Sequence, residues 1–405
     1  MLIKTIAFAV LLSTFGVVLA ADWTGFRGDG SGVSKDAAPP SKFTETEHVA
    51  WKSSLPGKGL SSPIVVKDRV YVTASSGAKD DRLHILCYAA GDGKLAWERQ
   101  YWATGRTLTH TSSAVAANTP VSDGETIFAF YSSNDLIAVD LDGNLKWFRG
   151  LAIDYPEAGN DVGMASSVAV VDGAVIVQSE SQGDSFVMGI DAKTGETLWK
   201  LDRLKEANWT TPVVLTGKGA AKNLVLLTNK EGLSAHDPRT GREVWRNAKE
   251  CDGIGSCVVA DDFVYVPGGG TRAVKIPTGG EPEVVWSNAK LNSGAASPLV
   301  YEDRIYTINR AGVITAADIK TGESVWQLRL KGQFWATPVV VDDVMFVAGK
   351  EGNVQTIDLS DPKKGKLIGE NKLPGEIYGT PAISQARSMF ARTRHCGKSR
   401  SNRYR

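Results

Sequence analysis

The chain has 405 residues, of which 42% are hydrophobic, so it can bury a large core. Its net charge of +1 is unevenly distributed: residues 385–405 contain seven Lys or Arg and no Asp or Glu, which leaves 39 basic against 45 acidic side chains in residues 1–384. A mildly acidic body argues against a nucleic-acid-binding surface.

The first 21 residues have the pattern of an export signal. Lys4 is followed by an apolar run over residues 6–19, and Ala20 and Ala21 provide small residues for cleavage. This pattern predicts a cleavable signal peptide and a periplasmic or extracellular protein. An uncleaved anchor helix is the alternative, but the run is short for a membrane span. No cysteine stands at the cleavage position, so we expect no lipid anchor, and no later segment is apolar enough to span a membrane.

One sequence unit recurs about every 40–52 residues after an N-terminal extension over residues 22–48. It opens with a small residue, usually before Pro, continues through two β-branched runs and closes with Asp-x-x-Thr-Gly-x-x-x-Trp or a degenerate form of it. The openings are Ser62-Pro63, Thr119-Pro120, Ser166-Ser167, Thr211-Pro212, Ser256-Cys257, Ser297-Pro298, Thr337-Pro338 and Thr380-Pro381. The closing tryptophans are Trp51, Trp97, Trp147, Trp199, Trp245, Trp286 and Trp326.

The repeat has a physical explanation in a ring of small sheets. The Asp and Gly of the motif form a tight turn, and the tryptophan after it offers a large rigid surface that can dock between neighbouring blades. The period matches one four-stranded antiparallel blade. We therefore predict an all-β, eight-bladed β-propeller over residues 49–384, with a strand near Val49–Lys52 completing the last blade. Seven blades is the alternative count.

At these residues the chain resembles the PQQ-like repeat β-propellers of the quinoprotein alcohol dehydrogenase-like superfamily. The stretch from Asp22 to Ser34, the His110–Gly124 stretch and the run Asn208-Trp209-Thr210-Thr211-Pro212 resemble secreted planctomycete members of that family. The resemblance implies the propeller fold but little about activity, because the same fold serves quinoprotein dehydrogenases and a non-catalytic outer-membrane assembly factor.

The residues just before each opening are expected to gather at one mouth of the central channel. Candidate ligand-binding residues there are Asn118, Trp209, Trp335 and Tyr378, together with His110 in a nearby Thr/Ser-rich loop. Packing at the mouth is an equally good explanation for the aromatic residues. The predicted rim has no carboxylate or guanidinium, and the histidines show no metal-ligand spacing, so we predict no catalytic residue and no metal site.

The expected function is a monomeric exported scaffold that holds a protein, peptide or polysaccharide without chemistry or cofactor of its own. One alternative is a dehydrogenase using PQQ and calcium, which the resemblance implies, although the chain lacks the family's adjacent-cysteine pair. A second alternative is an envelope or outer-membrane protein assembly factor.

Two features leave alternatives open. Residues 385–405 depart from the expected blade ending and are either the product of a reading-frame change or a native basic tail. Cys251 and Cys257 bracket a Gly-containing loop and either form a disulfide, which export would permit, or remain as two buried thiols.

Overall fold

The computed structural model describes residues 22–216 and 223–392. The predicted signal peptide and most of the basic tail, including Cys396, lie outside these ranges. In the described part of the chain, β1 (Val33–Ser34) is followed by a series of four-stranded antiparallel sheets, one per blade. Blade 1 contains β2 (Ile64–Val66), β3 (Arg69–Ser76), β4 (Arg82–Ala89) and β5 (Leu95–Trp102). Blade 2 contains β6 (Val121–Ser122), β7 (Thr126–Phe130), β8 (Asp135–Asp140) and β9 (Leu145–Gly150), and the short helix α1 (Leu151–Asp154) follows it.

The next three blades repeat this arrangement. Blade 3 contains β10 (Ala169–Val171), β11 (Ala174–Ser179), β12 (Phe186–Asp191) and β13 (Thr197–Asp202). Blade 4 contains β14 (Val213–Leu215), β15 (Leu224–Asn229), β16 (Gly232–His236) and β17 (Glu243–Asn247). Blade 5 contains β18 (Val258–Ala260), β19 (Phe263–Pro267), β20 (Thr271–Lys275) and β21 (Glu283–Asn288).

The last part of the ring is less regular. Blade 6 contains β22 (Leu299–Tyr301), β23 (Arg304–Ile308), β24 (Val313–Asp318) and β25 (Ser324–Arg329). Blade 7 contains β26 (Val339–Val341), β27 (Val344–Ala348), β28 (Asn353–Asp358) and β29 (Lys366–Lys372), and β1 joins it by pairing in parallel with β26. The eighth sheet contains only β30 (Ala382–Ser384) and β31 (Arg387–Met389) among the described residues.

The predicted β-propeller fold is confirmed, and β30 closes the ring because it lies between β26 of blade 7 and β2 of blade 1. The first three strands of a blade are almost entirely buried, since both faces of each blade pack against neighbours. The fourth strands form the outer surface: those of blades 1, 5 and 6 have no buried residue, and those of blades 2, 3 and 4 bury only their tryptophan. This explains the continuous β-branched runs that follow each opening.

The predicted completion of the eighth blade is only partly correct. Residues 49–52 form no strand, because none of the described residues after Met389 provides a third strand for them to pair with. Trp51 nevertheless packs on blade 1, where its Nε1 donates to the carbonyl of Ala90 at 2.9 Å. At the other end, Gln385 and Ala386 adopt positive φ and form a turn into β31, so the propeller extends past the boundary that we placed at residue 384.

Most of the other repeat tryptophans make the same contact with the following blade. The indole of Trp97 donates to Leu141 O at 3.0 Å, and that of Trp199 donates to Pro238 O at 2.9 Å. The glycine of the next turn lies against the ring, since a Cβ added to Gly241 would lie 2.6 Å from the Trp199 indole. On the third strand of its own blade, each of these tryptophans pairs with a small residue next to a register shift in the ladder. Trp199, for example, pairs with Gly189. In blade 7, Gly369 occupies the position of the tryptophan, and the backbone of Ser41 packs against this glycine.

Candidate functional site: the central channel

A ring of hydroxyl side chains surrounds the centre of the propeller. We define the hydroxyl ring as Ser62, Thr119, Ser167, Thr211, Ser256, Ser297, Thr337 and Thr380, one residue from each repeat opening. Between successive blades, from Ser62 to Thr380, the backbone N–H of one member donates to the side-chain oxygen of the next at 2.9–3.1 Å. These bonds satisfy buried backbone donors at the start of each innermost strand.

The segment over residues 22–34, which we call the plug, closes the channel below the hydroxyl ring. Trp23 exchanges two backbone hydrogen bonds with Val65 of blade 1, at 2.8 and 2.9 Å. Arg27 reaches the opposite side, where its Nη2 donates to Cys257 O at 2.7 Å and its Nη1 to Pro298 O at 3.4 Å. The plug then continues into β1. The plug therefore crosses the channel from blade 1 to the strand starts of blades 5 and 6.

The cavity between the plug and the mouth has a volume of about 110 Å³. Phe26 forms its floor, the hydroxyl ring forms its wall, and aromatic and small apolar residues surround its opening. Among the described residues that line it, Tyr378 carries the single ionisable side chain, and burial raises the pKa of its phenol. The lining can donate hydrogen bonds and stack on a ligand, but it contains no nucleophile–base pair.

Three of the predicted ligand-binding residues lie at this mouth. Trp335 is 44% exposed, and its ring meets that of Tyr378 edge-on with the centroids 6.0 Å apart. Lys350 Nζ lies 5.6 Å from the centre of the Tyr378 ring. Trp209 also lines the cavity, and its Nε1 donates to Gly163 O at 2.8 Å.

The other two predicted residues do not line the cavity. Asn118 is fully buried, and its Nδ2 donates to Ser166 O at 2.6 Å, so its amide fastens neighbouring blades. His110 is exposed in a loop, where its Nδ1 lies 2.7 Å from Ser112 Oγ. Sequence reasoning missed the hydroxyl ring and the floor residue Phe26. The signal for the ring is the Ser or Thr that stands at every repeat opening.

The cysteine alternatives are resolved in favour of free thiols. Cys251 and Cys257 are both buried and unpaired. The Cys251 sulfur lies 3.1 Å from Arg272 Nη2. Burial raises the pKa of the Cys257 thiol to about 12, so it is protonated at neutral pH.

A search for relatives identifies the family. Residues 42–218, 157–248 and 229–395 match the family described as outer membrane protein assembly factor BamB. The chain belongs to this family. The predicted membership of the PQQ-like repeat propellers is thereby confirmed.

Individual BamB-type relatives are distant. The chain is 24% identical to outer membrane protein assembly factor BamB of Yersinia pestis over 301 residues, 70% of each protein. BamB from Moraxella catarrhalis shares its fold with a TM-score of 0.62 and 19% identity, over 84% of this chain and 94% of that one. Quinohemoprotein alcohol dehydrogenase from Comamonas testosteroni also shares the fold, with a TM-score of 0.66 and 12% identity, over 89% of this chain and 74% of that one.

The channel does not fit the calcium–PQQ centre that the dehydrogenase fold implies. Calcium takes six to eight oxygens, many of them from carboxylates, and the described lining offers no carboxylate or amide. No group of three or more His, Cys, Asp or Glu residues that could hold a metal occurs in residues 22–216 and 223–392. The cavity of about 110 Å³ is also below the roughly 300–1,000 Å³ of ordinary cofactor pockets.

Proposed function

We propose that this protein is an exported, BamB-type assembly factor that binds protein partners in the bacterial envelope and performs no chemistry of its own. The observation that carries the proposal is a channel whose described lining is aromatic at the mouth and holds no charged side chain and no nucleophile–base pair, in a chain of the BamB family. This favours the assembly-factor alternative over a general scaffold or a dehydrogenase.

The mouth side of the propeller is the proposed docking face. It is formed by the segments that lead from the outermost strand of one blade to the innermost strand of the next. These segments carry exposed apolar side chains, namely Leu108, Ile153, Val162, Leu204 and Trp335, and Trp102 is exposed at the end of β5, just before one of them. Exposed apolar and aromatic side chains of this kind are typical of protein-binding surfaces. A protein partner therefore explains them better than a polysaccharide does.

Export is part of the proposal. In the described part of the chain, no helix is both long and apolar enough to cross a bilayer. We expect the mature protein to be monomeric, to begin near Ala21 or Asp22 and to appear in the periplasmic fraction. N-terminal sequencing of protein released by osmotic shock tests the export proposal directly.

A deletion strain of the native host tests the assembly role. We expect the amount of folded, heat-modifiable outer-membrane β-barrel proteins to fall when the coding sequence is deleted, and to recover when the wild-type chain is supplied. Unchanged amounts of folded β-barrel proteins in the deletion strain would contradict the role.

As a second measurement, the purified protein should reduce no dye when PQQ, calcium and a primary alcohol are added.

A further inference from the structure

The hydroxyl ring presents unused hydrogen-bond donors to the cavity. Seven of its eight oxygens accept a backbone N–H from the ring member of the preceding blade. Among the described residues, none of the eight hydroxyls donates its own proton to a protein acceptor, although all eight line the cavity. A hydroxyl that accepts a hydrogen bond becomes a stronger donor. The cavity therefore has a wall of polarised O–H groups.

A buried positive charge lies in the plug, at the residue after the cavity-lining Phe26. Arg27 is 1% exposed, and within the described ranges no carboxylate lies within 4.0 Å of its guanidinium. Its Nε has no hydrogen-bond partner in the protein. Burial lowers its pKa to about 10, although the charges of the Cys257 thiol group and of the Asp29 carboxylate partly offset the cost of removing it from water. The guanidinium therefore keeps one unused donor, Nε, and a positive charge with no carboxylate in direct contact among the described residues.

The guanidinium is close enough to the hydroxyl ring to influence it. Its two carbonyl partners, Cys257 O and Pro298 O, belong to the residues immediately after ring members Ser256 and Ser297. Its Cζ also lies 5.1 Å from the centre of the Phe26 ring, which forms the cavity floor. Because water screens such a buried charge only weakly, its positive potential extends into the cavity.

We propose that the hydroxyl ring binds a small anion of single negative charge, a halide or a carboxylate. The O–H groups donate to it, and it balances the charge of Arg27. The cavity of about 110 Å³ has room for one such ion with a few waters, given about 30 Å³ per water. This inference does not depend on the proposed role in envelope assembly.

Bromide is the probe for the site. We expect crystals of the mature protein soaked in sodium bromide to show an anomalous peak inside the hydroxyl ring. In solution, Tm should rise saturably by about 3 °C in sodium bromide relative to sodium gluconate of equal ionic strength. A ring occupied by water alone in the soaked crystals, or equal Tm values in the two salts, would overturn the proposal.

Variants of Arg27 and of a matched arginine locate the effect. R27Q should lose the bromide-dependent rise in Tm. R99Q should keep the bromide-dependent rise. Arg99 resembles Arg27 because it donates to a carbonyl, Gly143 O, and lies over an aromatic ring, that of Trp97, but it belongs to an outer strand. A bromide response in R27Q equal to that of the wild type would contradict the role of the buried charge.

A second pair of variants leaves Arg27 in place and covers the case in which R27Q does not fold. Thr337→Ser keeps the ring hydroxyl, and Thr337→Val removes it with little change in volume. We expect bromide to bind several-fold more weakly to T337V than to T337S. Equal affinities would count against donation by the ring.

Two peptides distinguish the source of the anion. They have the same sequence, but one ends in a free carboxylate and the other in an amide. If only the acid peptide displaces bromide, the natural anion is the carboxylate of a chain terminus that enters through the mouth. Displacement by sodium formate but by neither peptide would identify a free ion. Each result supports the same anion chemistry, and retention of bromide against all three competitors would refute a site for carboxylates.

Discussion

The two ends of the propeller differ in the side chains that they expose and in how far the fold explains them. On the side opposite the mouth, the turns between the first two strands of successive blades carry acidic residues such as Asp172, Asp261, Glu302 and Asp342, all with φ between 47° and 50°. Asp in particular tolerates this left-handed conformation in tight turns. A depression of about 480 Å³ on this side is lined partly by Asp22, Asp123 and Asp172.

The mouth side has no comparable structural explanation for its exposed residues. Trp335 is 44% exposed in the connection between blades 6 and 7, and Trp102 is 65% exposed at the last position of β5. The acidic turns follow from hairpin geometry, whereas no turn or strand register requires the exposed Trp335 at the mouth. The mouth side is therefore the better candidate for selection by a binding partner.

The largest expected difference in unfolding free energy is between replacing a tryptophan packed between blades and replacing one at the mouth. Trp199→Ala removes a buried indole that donates to Pro238 O at 2.9 Å, and should cost about 3–5 kcal/mol of unfolding free energy. Trp335→Ala should cost less than about 1 kcal/mol. Urea denaturation of both variants measures the difference, and similar costs would undermine the distinction between packing and mouth tryptophans.

A buried ion pair on the mouth side should give the next largest effect. Arg203 Nε donates to Glu180 Oε1 at 2.6 Å, and the other carboxylate oxygen accepts a bond from Asn208, beside Trp209, at 2.7 Å. Arg203→Met leaves the carboxylate buried without its partner and should cost about 3 kcal/mol. The double variant E180Q/R203M should regain part of that loss, measured as Tm. A further decrease in the double variant would be inconsistent with a stranded charge.

The turn side offers a smaller, conformational effect. Asp342 has a φ of 47°, so Asp342→Val should cost about 1–2 kcal/mol because a β-branched residue is strained there. The control Asp342→Asn removes the charge but tolerates the conformation, and should change stability by no more than about 0.5 kcal/mol. Equal losses in the two variants would mean that the charge itself stabilises the turn.

The smallest expected signal is the thiol reactivity of the native protein. Cys87, Cys251 and Cys257 are at most 3% exposed, and burial raises the pKa of Cys87 to about 11. A Cys396→Ser variant should therefore not react with a thiol reagent at pH 7 when folded, and should react at three sites when unfolded without reductant. Detection of one reactive thiol after unfolding would instead indicate a disulfide.

The repeat made the ring predictable because its residues act locally. The Asp-x-x-Thr-Gly turn and its tryptophan form within one blade or between two neighbours, so their spacing predicts the blade period. The plug and its contacts were not predictable, since Arg27 meets Cys257, 230 positions away in the chain, and no local pattern encodes that pairing. Asn118 was misplaced for a related reason: an amide beside the channel can equally fasten two blades.

We propose that the mouth side, and not the acidic turn side, performs the function. The most direct test is complementation of the deletion strain by two stable variants: W335A/Y378A at the mouth, and D261N/E302Q/D342N on the turns. Both should retain a Tm close to that of the wild type. We predict that the turn variant restores the folded outer-membrane β-barrel proteins and the mouth variant does not. Full rescue by the mouth variant, with failure of the turn variant, would contradict the account.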